Sequence, residues 1–220
     1  MISVTKTKII LLIIFIGFLV CGCSTNRRPI QNLSTHNIPS NFKMLDDSYW
    51  WKCKFKNVWP DNGTPDLVID LLLAHAVVAP VLVEHINDIP YWRFHRRANR
   101  DLAGHQFSLL FYSKPEIAVS VFSEIDKSDT LKRAIAANLV ERVTMDEPIH
   151  PQFPDIEDTS DPEWPEAIQR TWPTFIMGAS QMWLDLVIEL ANNERNGQTV
   201  EALYAEVHNQ VTGLWMGHGK

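Results

Sequence analysis

Cysteine is scarce: three occur in 220 residues, at positions 21, 23 and 53. Cys53 has no partner in the body of the chain, which excludes a disulfide-stapled scaffold and leaves it as a buried, inert thiol. Glycine is also sparse, with nine residues. There is no glycine-rich phosphate loop, no dinucleotide fingerprint and no Gly-x-Ser-x-Gly elbow. The eight histidines include no His-x-His pair and no His-Glu-x-x-His run, so no metal and no cofactor is expected. An excess of basic residues is missing as well. The formal charge is -6, which argues against nucleic acid as a partner. Finally, no apolar run reaches the roughly 20 residues needed to cross a hydrocarbon core, since Ile9 to Val20 covers about 12.

What is present begins at the N-terminus. Lys6 and Lys8 precede the apolar run, which ends in Val20-Cys21-Gly22-Cys23-Ser24. The length of the run suits the core of a cleaved secretory signal. A basic head, an apolar core and a small residue directly before a cysteine resemble the signal of a bacterial lipoprotein. The resemblance covers residues 1 to 26 only. It implies cleavage after Gly22 and acylation, palmitate included, of Cys23, with Cys21 as the rival site. Ser24 in place of Asp implies the outer membrane, facing the periplasm. Each buried acyl methylene contributes about 0.8 kcal/mol, so several chains anchor a protein that never spans the bilayer. Losing residues 1–22 removes two lysines and no acid, so the formal charge goes from -6 to -8.

Residues 23–41 carry Asn, Ser, Thr and Gln without hydrophobic period and read as a flexible tether. Residues 42–220 then form one globular domain. Trp51, Cys53 and Phe55 alternate with lysines, which is a strand signal. Thr64-Pro65-Asp66 has the chemistry of a helix start. The segment Leu67 to Ile86 is apolar nearly all round apart from Asp70, His75, Glu84 and His85, with Pro80 expected to kink it. Tyr91–Ala98 and His105–Tyr112 alternate on either side of a polar loop and predict a hairpin. Ser113-Lys114-Pro115-Glu116 reads as a capping box ahead of a helix to about Asp126. A short helix near Thr130–Asn138 and a strand at Leu139–Thr144 follow. Asp146 to Glu163 is acidic, proline-rich and aperiodic, as expected of a surface loop. Helical spacing returns in a short piece at Pro165–Thr171, a longer one at Pro173–Asn193, and a last helix from Thr199. This mixture without a regular βαβ repeat predicts an α+β fold: a small antiparallel sheet covered by helices, with a C-terminal helical pair.

The candidate ligand site is the outer face of the first hairpin strand. Arg93, His95 and Arg97 lie two residues apart, point the same way, and could converge on one anion. The competing reading is a solvated face screened by the acids of residues 146–161. Those acids could also hold calcium, but Pro154 and Pro162 interrupt the spacing such a loop needs. No set of residues here specifies catalysis. The expectation is therefore a non-enzymatic, lipid-anchored envelope protein that binds or scaffolds another envelope component. The alternatives are an anion-binding module built on Arg93, His95 and Arg97, and an enzyme whose site leaves no linear trace.

Overall fold

The computed structural model describes residues 47–60, 63–193 and 199–215. The signal, Cys23 and the tether lie outside the described residues. Four strands form one antiparallel sheet: β1 (Tyr49–Asn57), β2 (Tyr91–Ala98), β3 (His105–Ser113) and β4 (Val140–Met145), in the order β2-β3-β1-β4. Helical connections link β1 to β2 and β3 to β4, while β2 and β3 form the hairpin. This is the split βαβ, ferredoxin-like arrangement within the α+β class.

The alternation read along β1 holds. Trp51, Cys53, Phe55 and Asn57 face inward and pair with Phe111, Leu109, Phe107 and His105 of β3. Trp51, Phe55, Phe107 and Phe111 are all buried, and the Trp51 indole N–H donates to the Ser113 carbonyl at 2.9 Å. Lys52 and Lys54, directly beside Cys53, therefore point to the other face. Cys53 is fully enclosed, and burial, with Asp146 adding to it, pushes its thiol far above the ordinary range.

The apolar segment after β1 packs across the inner face. It does not start at Thr64 to Asp66: helix α1 is Val68–Leu73, with Leu67 at its cap and no side-chain cap. Asp66 instead accepts the Val68 N–H at 3.1 Å. The expected break at Pro80 takes the form of a π turn, Ala74–Val78, before α2 (Ala79–Glu84). Proline lacks an N–H and its ring crowds the preceding turn, and a wider turn relieves both.

Helix α3 (Pro115–Lys127) presents Ala118, Val121, Phe122 and Ile125 to the core. The capping box expected there does not form. Lys114 is the cap residue, because Ser113 completes β3 and its hydroxyl donates to the Lys114 carbonyl. Helix α4 (Asp129–Ala136) starts under a Ser128 side-chain cap. It ends at Asn138 (φ 55°), with Leu139 N–H returning to Ala134 and Asn138 N–H to Ile135, a Schellman closure.

Two expectations need further correction. The two helices expected at Pro165–Thr171 and Pro173–Asn193 are one, α5 (Glu166–Asn193), that carries Pro173 inside it. The acidic segment 146–163 is no free loop. It holds a 3₁₀ turn, Ile156–Thr159, with a reciprocal Asp155–Asp158 capping box, and it straps one end of the outer sheet face. Helix α6 (Val200–Trp215) packs beside α5, completing the expected C-terminal pair. Among the described residues, no helix is long and apolar enough to cross a membrane.

Candidate anion-binding face

The helices pack on the face of Trp51, Phe55, Phe107 and Phe111, and the strap crosses one end of the other face, where Thr174 of α5 also meets Tyr91. The composition of this other face follows from register. Arg93 sits across from Leu110, and Leu110 from Lys52; His95, Ser108 and Lys54 form the next row, and Arg97, Gln106 and Lys56 the one after. On the far side Thr144 pairs with Lys54 and Arg142 with Lys56. An acidic protein thus gathers six cations and a histidine on one sheet face.

These cations are not equivalent. Lys56 is bound to Glu141 at 2.9 Å. Both outer nitrogens of the Arg97 guanidinium are held by Asp101 in the hairpin loop, and Arg97 holds that carboxyl down at about 2, with the Gly104 and Ala103 N–H groups adding to the effect. Asp101 in turn shapes the loop that ends at Gly104, whose φ of 65° favours glycine. Lys52, Lys54, Arg93 and Arg142 make no ion pair with any described residue.

Arg93 is the exceptional one. The residue is half-buried, and its Nε is enclosed without a hydrogen-bond partner among the described residues. Burial alone pushes its pKa below the ordinary arginine value. Buried charges are normally paired, because water is lost and must be replaced. Arg93 and Lys52 line a cavity of about 280 Å³ with Trp50 and Leu110, roofed by Thr159 and Ser160 of the strap. The Thr159 hydroxyl is also buried without a partner.

The strap is fixed by three contacts. The Trp50 N–H donates to Phe153 at 2.9 Å, the Trp50 indole donates to Ile156 at 3.0 Å, and the Tyr112 hydroxyl donates to Pro154 at 2.9 Å. Two carboxylates border the cavity, and both have other partners. Asp146 accepts the Lys52 backbone N–H at 2.8 Å, and Asp158 accepts the Asp155 N–H at 2.9 Å.

His95 lies exposed in the middle row. Desolvation by its neighbours, then Arg93, Arg97 and Lys52, lower its pKa below the ordinary histidine value. It is a neutral hydrogen-bonding group near pH 7 and a further cation in acid.

Of the three residues expected to converge, all share one face, but Arg97 is committed to Asp101. The structure adds Lys52 and Lys54 from β1, which alternation alone placed opposite Cys53 but could not place across β3 from β2. A second polar centre went unread. On the inner side, the fully buried Asp70 accepts Asn57 Nδ2 at 3.0 Å, His105 Nε2 at 2.9 Å and Arg96 Nε at 2.8 Å, tying α1 to three strands. The available signal was a lone acid in an apolar helix. Elsewhere His85 meets Glu124 at 2.9 Å and His75 meets the Tyr204 hydroxyl at 2.8 Å. Among the described residues no three His, Cys, Asp or Glu side chains gather as a metal site.

No family model matches the chain, and no curated protein matches it. The crystal structure of TsrL is similar at 16% identity, with a TM-score of 0.39, over 73% of this chain. The match spans 38% of that protein's length. A likeness of this size carries no argument about function.

Proposed function

We propose that the protein is a lipid-anchored, non-enzymatic component of the bacterial cell envelope that holds an anionic group, a phosphate or carboxylate, on the outer face of its sheet. The observation that carries the reading is the half-buried Arg93, whose enclosed Nε has no partner among the described residues and which makes no ion pair with them. An oxyanion would accept from Nε and from a neighbouring guanidinium nitrogen as a fork, while Lys52 and the Thr159 hydroxyl close around it and Lys54 and His95 extend the field. The aromatic pair of this face, Trp50 and Tyr112, is closed beneath the strap. The open rows therefore offer cations without a stacking platform, which suits a discrete anion better than a nucleic-acid strand.

Thermal unfolding with inorganic phosphate and with acetate tests the site. The intact protein gains stability with anion concentration as a site that binds only the native state requires. Arg93→Gln loses that gain, whereas Arg97→Gln keeps it, because Arg97 already serves Asp101. An equal response in the Arg93 variant and the parent would refute the site. The anchor is tested separately. Cys23→Ser should release the protein from membranes, and mass spectrometry of the native N-terminus should show an acylated Cys23; an unmodified N-terminus would refute the anchoring.

A further inference from the structure

A different cavity lies at the end of the sheet where β1 runs out, the hairpin turns, and α4 hands the chain to β4. Its volume is about 500 Å³, within the roughly 300–1,000 Å³ of small-molecule sites. Two of its lining residues, Asn57 and His105, are only 2% and 1% exposed. Each has spent one polar atom on Asp70, and each keeps a second buried atom without a partner: Asn57 Oδ1 and His105 Nδ1. Asn57 Oδ1 is an acceptor, and His105 Nδ1 is the ring nitrogen that Asp70 leaves unused. This end of the sheet therefore holds two buried polar atoms without a partner among the described residues.

Most of the charges around the cavity are matched. Lys56 is paired with Glu141 and Asp101 with Arg97. Arg100 has no carboxylate partner among the described residues, but its guanidinium carbon lies over Trp59, 5.6 Å from the ring centroid, and it donates to the Gly63 carbonyl at 2.7 Å. The cations here are thus engaged with the protein, in contrast to Arg93 on the outer face. The carboxamides of Asn99 and Asn138 supply both donors and acceptors to the same space, and the Trp59 indole supplies a flat apolar edge.

We infer that this cavity is a second binding site, for an uncharged, hydroxyl- and amide-bearing ligand: a saccharide. Hydroxyl and acetamido groups, which both donate and accept, provide the partners that Asn57 and His105 lack and satisfy the two surface amides in turn. The C–H face of a pyranose ring packs on the indole. The site is independent of Arg93 and of the anion reading.

Calorimetric titration of the full-length protein with diacetylchitobiose, and with maltose as a disaccharide without acetamido groups, tests the inference. At least one should bind saturably. Trp59→Ala and Asn99→Ala, both in surface segments outside the core, should weaken it by about tenfold or more, and Arg93→Gln should leave it unchanged. Failure of both disaccharides to bind at millimolar concentration would overturn the inference. Binding that ignores Trp59→Ala, or that phosphate displaces, would overturn it equally.

Discussion

Truncating Asp70 is the sharpest test of how the fold is held. Its carboxylate, fully buried in the first turn of α1, accepts three hydrogen bonds of 2.8 to 3.0 Å from Arg96, His105 and Asn57. Asp70→Ala strands the Asn57 amide and the His105 ring N–H in the core, at about 1–3 kcal/mol for each unsatisfied group. It also removes the counter-charge of Arg96. That part is discounted, because the Arg96 side chain is one-third exposed and can turn toward water while keeping its place over Trp183, 4.9 Å from the ring. The net expectation is about 4 kcal/mol, inside the 3–5 kcal/mol typical of breaking a buried pair from one side. For a domain of this size it lowers Tm by on the order of 10 °C. Asp70→Asn, which keeps the shape and one acceptor, should lose about half as much. Urea unfolding followed by tryptophan fluorescence reads both, provided the m-value is unchanged. If both variants fall within about 0.5 kcal/mol of the parent, the cluster does not hold α1 to the sheet and the reasoning fails.

Three further outcomes are expected. Ser180→Ala leaves the N–H of Phe94, on edge strand β2, without the hydroxyl that now accepts it at 3.1 Å; the loss should be about 1–3 kcal/mol in the same unfolding assay, and a neutral variant would show that water replaces the hydroxyl. Cys53 should resist thiol reagents in the folded protein and react only on unfolding, since its thiol is enclosed and its pKa raised; rapid native-state labelling would contradict this. For His95, the folded pKa lies below the ordinary value, so between the two the unfolded chain binds a proton that the native state does not. Its contribution is therefore complete above about pH 6.5 and declines as acid charges the ring. An NMR titration should place the midpoint below about 6.5 in the free protein and shift it upward when phosphate binds; a midpoint at or above that value refutes the argument.

Local chemistry was readable wherever it depends on neighbours in the chain. Two-residue alternation assigned Trp51, Cys53 and Phe55 to one side of β1 and Trp92, Phe94 and Arg96 to one side of β2, and the structure keeps both assignments. Helix starts were less legible. Ser113 and Thr64 have capping chemistry, yet the ladder to β1 claims Ser113, and α1 begins beyond Thr64 at Val68. Proline signals also gave way to context: Pro80 produced a π turn and Pro173 was absorbed into a continuous helix.

By itself, the sequence determined the α+β mixture, the hairpin and the common face of Arg93, His95 and Arg97, because each follows from the period of a single strand or helix, and the isolation of Cys53, because no other cysteine lies in residues 42–220. Only the tertiary structure decided that β1 lies beside β3, which sets Lys52 and Lys54 across the sheet from Arg93 and His95. It also decided that the acidic segment closes over Trp50 and Tyr112, and that Asp70 meets Asn57, His105 and Arg96. Those partners come from segments 13 to 106 residues apart. Strand order and long-range packing bring them together, and no local period encodes either.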